Sequence, residues 1–329
     1  MALLSVRDLC VDIPTRHGVL HALKNVSLHI EPGEILGVVG ESGAGKSLTG
    51  AAILNLLEPP GRISGGEIWL SDKRIDNLDP ESMRQIRGRR IGAIFQDPLT
   101  SLNPLYTVGQ QIEQTILTHL RMSPSQARDQ TVQLLEDTGI PAAAQRLKHY
   151  PHQFSGGMRQ RVVIALALAA QPELIIADEP TTALDVSIQA QIIELLIKVC
   201  KERHAAIMLI THDMGVIAET SDRVAVMYAG RVVETGPVDQ IIHEPHHPYT
   251  QGLMASIPRV DVDLGRLSHV PGNMPRLHDM PSGCAFHPRC GRQTAQCSAQ
   301  IPLLQTYGAS KEVACFNPIA EGSTPMGQA

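Results

Sequence analysis

Gly40-Glu41-Ser42-Gly43-Ala44-Gly45-Lys46-Ser47 places three glycines, a lysine and a hydroxyl at the spacing that holds phosphate. The glycines let the backbone fold close around phosphate oxygens with its N–H groups turned inward. Lys46 brings a point charge for the β- and γ-phosphates, and the Ser47 hydroxyl can ligate Mg²⁺. The pattern is G-x-x-x-x-G-K-[ST], and from Lys46 through Leu48 the chain enters a segment with helical spacing. The positive N-terminal end of such a helix adds to the anion site. A second group lies far down the chain, where the apolar run Leu174-Ile175-Ile176-Ala177 ends in Asp178 and Glu179. There Asp178 would hold Mg²⁺ and Glu179 would polarise an attacking water. Alone, that pair also reads as a helix N-cap and a surface residue after a core strand. Following a phosphate loop, it points to binding and hydrolysis of a nucleoside triphosphate.

These groups need a frame of strands and helices. The run Glu34–Val39 leads into the glycine-rich turn, and Lys46–Leu57 reads as a helix that stops before Pro59-Pro60-Gly61. Glu67–Leu70, Ile91–Phe95, Ala206–Ile210 and Arg223–Met227 read as strands. Val108 to Gly139 has helical periodicity broken at Ser123-Pro124, and Val186–Lys201 reads as an amphipathic helix. Strands alternating with helices imply an α/β fold with a mainly parallel sheet covered on its faces. Leu174–Ala177 and Ile207–Ile210 suit central strands. After Pro258 proline, glycine, histidine and cysteine become frequent. Residues 258–320 are expected to form a small irregular appendage outside the sheet, and 321–329 a disordered tail. The core then spans 1–257, with 97–160 as a helical subdomain.

Composition narrows the class. Of 329 residues, 43% are hydrophobic and 19% charged, enough for a globular core. Aromatics are 3%, so Leu, Ile, Val, Ala and Met must build that core. A net charge of -5 argues against a nucleic-acid-binding face. No signal peptide is evident at the N-terminus. The longest apolar stretch, Val162 to Ala170, is too short to span a bilayer. A soluble cytoplasmic chain is expected, attached to a membrane only through partners. The six cysteines then read as metal-binding or free rather than disulfide-bonded.

Phe154-Ser155-Gly156-Gly157-Met158-Arg159-Gln160-Arg161 resembles the signature of ABC ATPases. Ser155, Gly156 and Gly157 would present a hydroxyl and bare N–H groups at the start of a helix running from about Met158 to Ala169, an anion-binding end. In that family the signature of one subunit caps the γ-phosphate bound to the phosphate loop of the other. Gln96 resembles the Q-loop glutamine that contacts Mg²⁺, Ala183-Leu184-Asp185 the D-loop, and His212 the switch histidine that bonds the γ-phosphate. The resemblance covers about residues 3–257. It implies ATP and Mg²⁺ as cofactors, with Gly40 to Leu48 and Asp178 binding the nucleotide and Ser155–Gly157 acting in trans. It assigns Mg²⁺ to Ser47, Gln96 and Asp178, and catalysis to Glu179, His212 and Gln96. Met158 departs from the commoner glutamine. Pro14–Asn25, where an aromatic usually stacks on adenine, has no Phe, Tyr or Trp. Leu20 or His21 is then nearest the base, and discrimination of ATP from GTP is expected to be weak.

Longer matches refine the resemblance. Phe95-Gln96-Asp97-Pro98-Leu99-Thr100-Ser101-Leu102-Asn103-Pro104 and His247-Pro248-Tyr249-Thr250-Gln251-Gly252-Leu253 resemble the dipeptide/oligopeptide/nickel importer subfamily. That resemblance implies an ATPase motor for peptide uptake on the cytoplasmic face of the inner membrane. It implies as partners two integral membrane permeases, a second homologous ATPase in a heterodimer and a periplasmic or extracellular substrate-binding protein, with no nucleic acid. Nickel, glutathione and antimicrobial peptides stay open as cargo. A soluble ABC ATPase of DNA repair or translation usually carries a long coiled coil or two cassettes. One phosphate loop and the short stretch from Gln96 to Ser155 favour a transporter.

Cys284, Cys290, Cys297 and Cys315 follow a C-x5-C-x6-C-x17-C spacing. Spacing alone leaves them unligated, zinc-bound or holding an iron–sulfur cluster, and the short C-x2-4-C pairs favoured by zinc are missing. Gly283-Cys284-Ala285-Phe286-His287-Pro288-Arg289-Cys290 resembles the C-terminal element of dipeptide-importer ATPases, which implies a [4Fe–4S] cluster on the four cysteines. His287 is expected to cap or face solvent, and Cys10 and Cys200 to be ordinary buried side chains.

Overall fold

A computed structural model describes residues 2–182, 184–256 and 270–320. The expected boundary at 257/258, the tail 321–329 and Ala183 of the D-loop lie outside the described residues. The chain divides into two compact units.

One unit comprises Met1–Leu3, Ile30–Ile35 and Asn77–Ile210. Its strands Ile91–Ile94, Leu174–Asp178 and Ala206–Ile210 run parallel, with Ile91 opposite Leu174 and Leu174 opposite Ala206. Leu174 to Ala177 are all buried, as a strand covered on both faces requires. The helical period breaks where the sequence suggested: helices Val108–His119 and Pro124–Asp137 are separate. Ser123 caps the second, with Gln126 completing a capping box and Pro124 at its first position. Helices Gly156–Leu168 and Val186–Glu202 complete the layer that carries the signature.

The other unit comprises Leu4–His29, Leu36–Asp76 and Thr211–Ala329. Two long strands, Leu4–Thr15 and Gly18–Ile30, precede the first element the residue pattern suggested. Leu4–Thr15 pairs antiparallel with Arg62–Leu70, and the register slips between Arg7 and Cys10. Asp8 takes φ 48° at that slip, so the buried set changes from Leu4 and Val6 to Leu9 and Val11. The change of phase hides the alternation from a pattern reading. The strand Ile35–Val39 lies parallel to Arg223–Tyr228, which is antiparallel to Arg231–Pro237. The helix after the phosphate loop, Lys46–Ile53, is shorter than expected because Asn55 turns left-handed at φ 50°.

The appendage does extend the sheet, contrary to the reading from composition. Lys311–Val313 pairs antiparallel with Arg231–Pro237, placing Val313 opposite Glu234, and Gln305–Tyr307 pairs with it in turn. Lys311 and Val313 are buried and Glu312 between them is half-buried, a period of two too short to stand out in a proline-rich segment. Among the described residues no helix is long and apolar enough to cross a membrane.

Candidate functional site

The phosphate loop leaves the end of the strand Ile35–Val39 with its backbone fixed by contacts. Gly40 sits at φ 151°, and a Cβ there would fall on the Met227 carbonyl oxygen. Gly45 sits at φ 104°, and a Cβ there would come 2.7 Å from Leu23 Cδ2. Both positions therefore require glycine. Lys46 is buried, and its Nζ donates to Gly40 O at 2.8 Å and Glu41 O at 3.2 Å. The Gly230 N–H donates to Ala44 O at 2.8 Å, and the Thr49 hydroxyl to Gly45 O at 2.9 Å. Ala44 is buried and Leu48 half-buried, while Ser42, Gly43 and Ser47 are exposed on the loop's crest and at the helix start. Glu41 is anchored twice: its N–H donates to Tyr249 Oη at 2.8 Å, and its carboxylate pairs with Arg289 at 2.7 and 2.9 Å. In the same unit the Thr211 N–H donates to Val38 O at 3.2 Å, which holds exposed His212 beside the strand that enters the loop. Asp213 caps the helix that follows.

The carboxylates are described in the other unit. Asp178 ends the strand Leu174–Asp178, and Glu179 follows with φ 44°. A left-handed non-glycine residue costs roughly 1–2 kcal/mol, so its neighbours must fix it. Its N–H donates to Ile210 O at 2.9 Å. Its Oε2 accepts from Gln96 Nε2 at 3.0 Å and from Thr182 Oγ1 at 2.8 Å. Gln96 and Glu179, singled out separately in the sequence, thus meet. Thr182 was missed; its only signal was a hydroxyl three residues after the carboxylate. Ser155 caps the helix Gly156–Leu168, accepting from the Met158 N–H at 3.4 Å. Ser155 and Gly156 are exposed and Gly157 is half-buried, so this helix start is presented outward. Asp185 stands at the N-cap of the helix Val186–Glu202.

The four clustered cysteines line one pocket, together with His247, Pro248, Phe286 and Pro302. None is in a disulfide. The Cys284 N–H donates to Cys297 O at 2.8 Å, which joins two of the segments that carry them. Burial, first, and the neighbouring thiols push Cys284 and Cys290 up, and Cys315 to about 11. A set of sulfur donors is the chemistry of iron–sulfur clusters and zinc, so the donors suit either group. Among the described residues, however, no three His, Cys, Asp or Glu side chains close into a metal-holding group. His287 Nδ1 lies 2.9 Å from Cys284 O, and His287 lines the same pocket. Cys200 is buried, its thiol pushed up to about 12 by burial. Cys10 departs from expectation: it is half-buried, with Sγ 3.1 Å from Asn25 Oδ1.

Residues 23–182 match the family described as ABC transporter, and residues 233–297 match the oligopeptide/dipeptide transporter C-terminal region. The chain is 44% identical over 325 residues to the dipeptide transport ATP-binding protein DppD of Escherichia coli (strain K12), covering 99% of each. It is 51% identical over 286 residues to the oligopeptide transport ATP-binding protein OppD of Bacillus subtilis (strain 168), covering 86% of this chain and 80% of that one. Among solved structures it is similar to the dimeric bacterial ABC transporter cassette MJ0796. There the TM-score is 0.64 at 31% identity, covering 71% of this chain and 98% of that one.

Proposed function

This chain belongs to the ABC transporter family, among its dipeptide and oligopeptide transport ATP-binding subunits, and from that premise we propose that it is the ATP-hydrolysing motor of a peptide importer. The observation that carries the reading is the coexistence, in one chain, of an ABC-type phosphate loop and an oligopeptide/dipeptide transporter C-terminal region, with likeness over 99% of the chain to a dipeptide transport ATP-binding protein. Its cofactors are ATP and Mg²⁺.

In the proposed reaction Gly40 to Leu48 bind the triphosphate, with Lys46 on the β- and γ-phosphates. Ser47, Gln96 and Asp178 would hold Mg²⁺, which would offset charge on the phosphoryl group. Water attacks the γ-phosphorus as the bond to the β-bridging oxygen breaks, and Glu179 takes the water's proton. Gln96 and Thr182 orient the Glu179 carboxylate, since both donate to its Oε2. His212 bonds the γ-phosphate. Ser155, Gly156 and Gly157 close over the nucleotide of a second ATPase, for which an exposed, capped helix start is suited. That second ATPase is a homologous partner. The motor sits on two permease subunits at the cytoplasmic face of the membrane and is supplied by a substrate-binding protein. The nucleotide-binding domain spans 1–257, with 97–160 as its helical part, and 258–320 forms the appendage.

Cys284, Cys290, Cys297 and Cys315 are proposed to hold a [4Fe–4S] cluster, which when bound supplies a clamp for a segment with little regular structure. Support comes from the four sulfurs sharing one pocket. Anaerobic metal analysis tests this: iron and sulfide are expected, and iron-free, zinc-loaded protein counts against it. The ATPase reading is tested by Glu179→Gln, expected to abolish turnover while ATP still binds. Normal hydrolysis by that variant would remove Glu179 from the role of base.

A further inference from the structure

Glu41 is the second residue of the phosphate loop, and Arg289 reaches it from the far end of the chain. The contact is a two-pronged one: Nη1 to Oε2 at 2.7 Å and Nη2 to Oε1 at 2.9 Å. The Arg289 side chain is 6% exposed, and its remaining donors are also placed. Nε donates to Pro271 O at 2.6 Å, Nη2 to Val270 O at 3.2 Å and Gly272 O at 3.3 Å, and Nη1 to Tyr228 Oη at 3.3 Å. The guanidinium carbon lies 5.7 Å from the Tyr228 ring centre and 5.8 Å from that of Phe286. A buried guanidinium engaged on every edge has one orientation, and a forked pair with carboxylate is the strong form of this contact.

Two consequences reach the triphosphate. Lys46 Nζ donates to the carbonyls of Gly40 and Glu41, so a shift of Glu41 shifts the lysine that must meet phosphate. The Glu41 carboxylate also sets a negative charge in a loop whose ligand is a polyanion, and Arg289 offsets it. None of the ATPase motif residues supplies either service. We propose that Arg289 is a positioning residue for the nucleotide reaction, fixing the phosphate loop through Glu41 and cancelling the charge there. The inference rests on the ATPase reading.

The test uses the full-length chain with Mg²⁺ and a fluorescent methylanthraniloyl-ATP, followed by steady-state kinetics in the assembled transporter. Arg289→Met is expected to raise Kd and KM for ATP about tenfold with kcat within about twofold, because the loop is held alike before and during reaction. Adding Glu41→Gln to Arg289→Met removes the stranded carboxylate and is expected to recover a large part of that loss. A residue with only a structural role would show no such recovery. Arg289→Lys keeps the charge but not the fork, and about a threefold rise is expected. It serves where Arg289→Met does not fold. Wild-type Kd and KM in folded Arg289→Met, or in Arg289→Lys if the former fails to fold, overturn the proposal, as does a weakened Arg289→Met that Glu41→Gln leaves unchanged. A wild-type chain that bound no nucleotide would overturn the ATPase reading and this inference together. A wild type that binds, beside variants that do not differ from it, overturns this inference alone.

Discussion

The phosphate loop and the cysteine pocket lie in the same compact unit and are built by opposite means. In the loop the backbone is the working part. Gly40 and Gly45 admit no Cβ, and main-chain groups from Gly40 to Gly45 are held by Lys46, Thr49, Gly230 and Tyr249. In the pocket the side chains are the working part. Four cysteines line a common space, and burial favours the neutral thiols of Cys284, Cys290 and Cys315. The shape of the loop is therefore fixed by contacts within the chain. The pocket would gain most from a bound positive group, which draws protons off thiols and ties the segments together.

Gly40→Ala should produce the largest effect, because its Cβ would meet backbone, which has no rotamer by which to yield. Nucleotide affinity is expected to fall by about a hundredfold or more, with a lower melting temperature, read by nucleotide titration and calorimetry. Near-normal binding would show that the loop tolerates displacement and would erase its contrast with the pocket. Cys297→Ser comes next. On the proposed cluster reading, anaerobically purified variant is expected to hold much less iron than the wild type, while nucleotide Kd rises only about threefold through the seat of Arg289 beside Cys290. An unchanged iron content would place any metal elsewhere.

Tyr249→Phe sharpens the comparison at the point where the two regions meet. It removes the acceptor of the Glu41 N–H and leaves the ring packed against Tyr228 and Phe286. One such hydrogen bond is worth about 0.5–1.5 kcal/mol, so a rise in nucleotide Kd of about two- to tenfold is expected. No change would mean that Arg289 alone holds Glu41.

The contrast also decides what was legible in the sequence. The phosphate loop, the carboxylate strand and the signature were readable because each is a local stretch in which residue type dictates backbone. The central strands Leu174–Asp178 and Ala206–Ile210 were readable because full burial makes Leu174–Ala177 and Ala206–Ile210 wholly apolar. The N-terminal strands were not, since the slip at Asp8 breaks their alternation. Neither was the addition of Lys311–Val313 to the sheet, a pairing with residues far earlier in the chain. The Arg289–Glu41 bridge and the Thr182 bond to Glu179 were missed for a related reason: an arginine beside a cysteine and a threonine after a carboxylate look ordinary until their partners are placed. Four cysteines could be noticed in the sequence, but only the fold gathers them around one pocket.

The smallest effect concerns the base. The strand Gly18–Ile30 passes the phosphate loop: Leu23 crowds Gly45, and the Lys24 N–H donates to Gly230 O at 2.9 Å, next to the bond from Gly230 to Ala44. His21, two residues before Leu23, has its side chain 60% exposed and its Nδ1 2.7 Å from Asp12 Oδ1. A ring oriented by a carboxylate supplies a small surface for stacking and no donor pattern that distinguishes adenine from guanine. Kd values for ATP and GTP are therefore expected to agree within about threefold, since stacking accepts any base. His21→Tyr should strengthen both by about two- to fivefold and leave their ratio unchanged, because a larger ring adds area without adding readout. A strong preference of the wild-type chain for ATP would mean that something other than stacking reads the base. A ratio that moved in His21→Tyr would assign that reading to position 21.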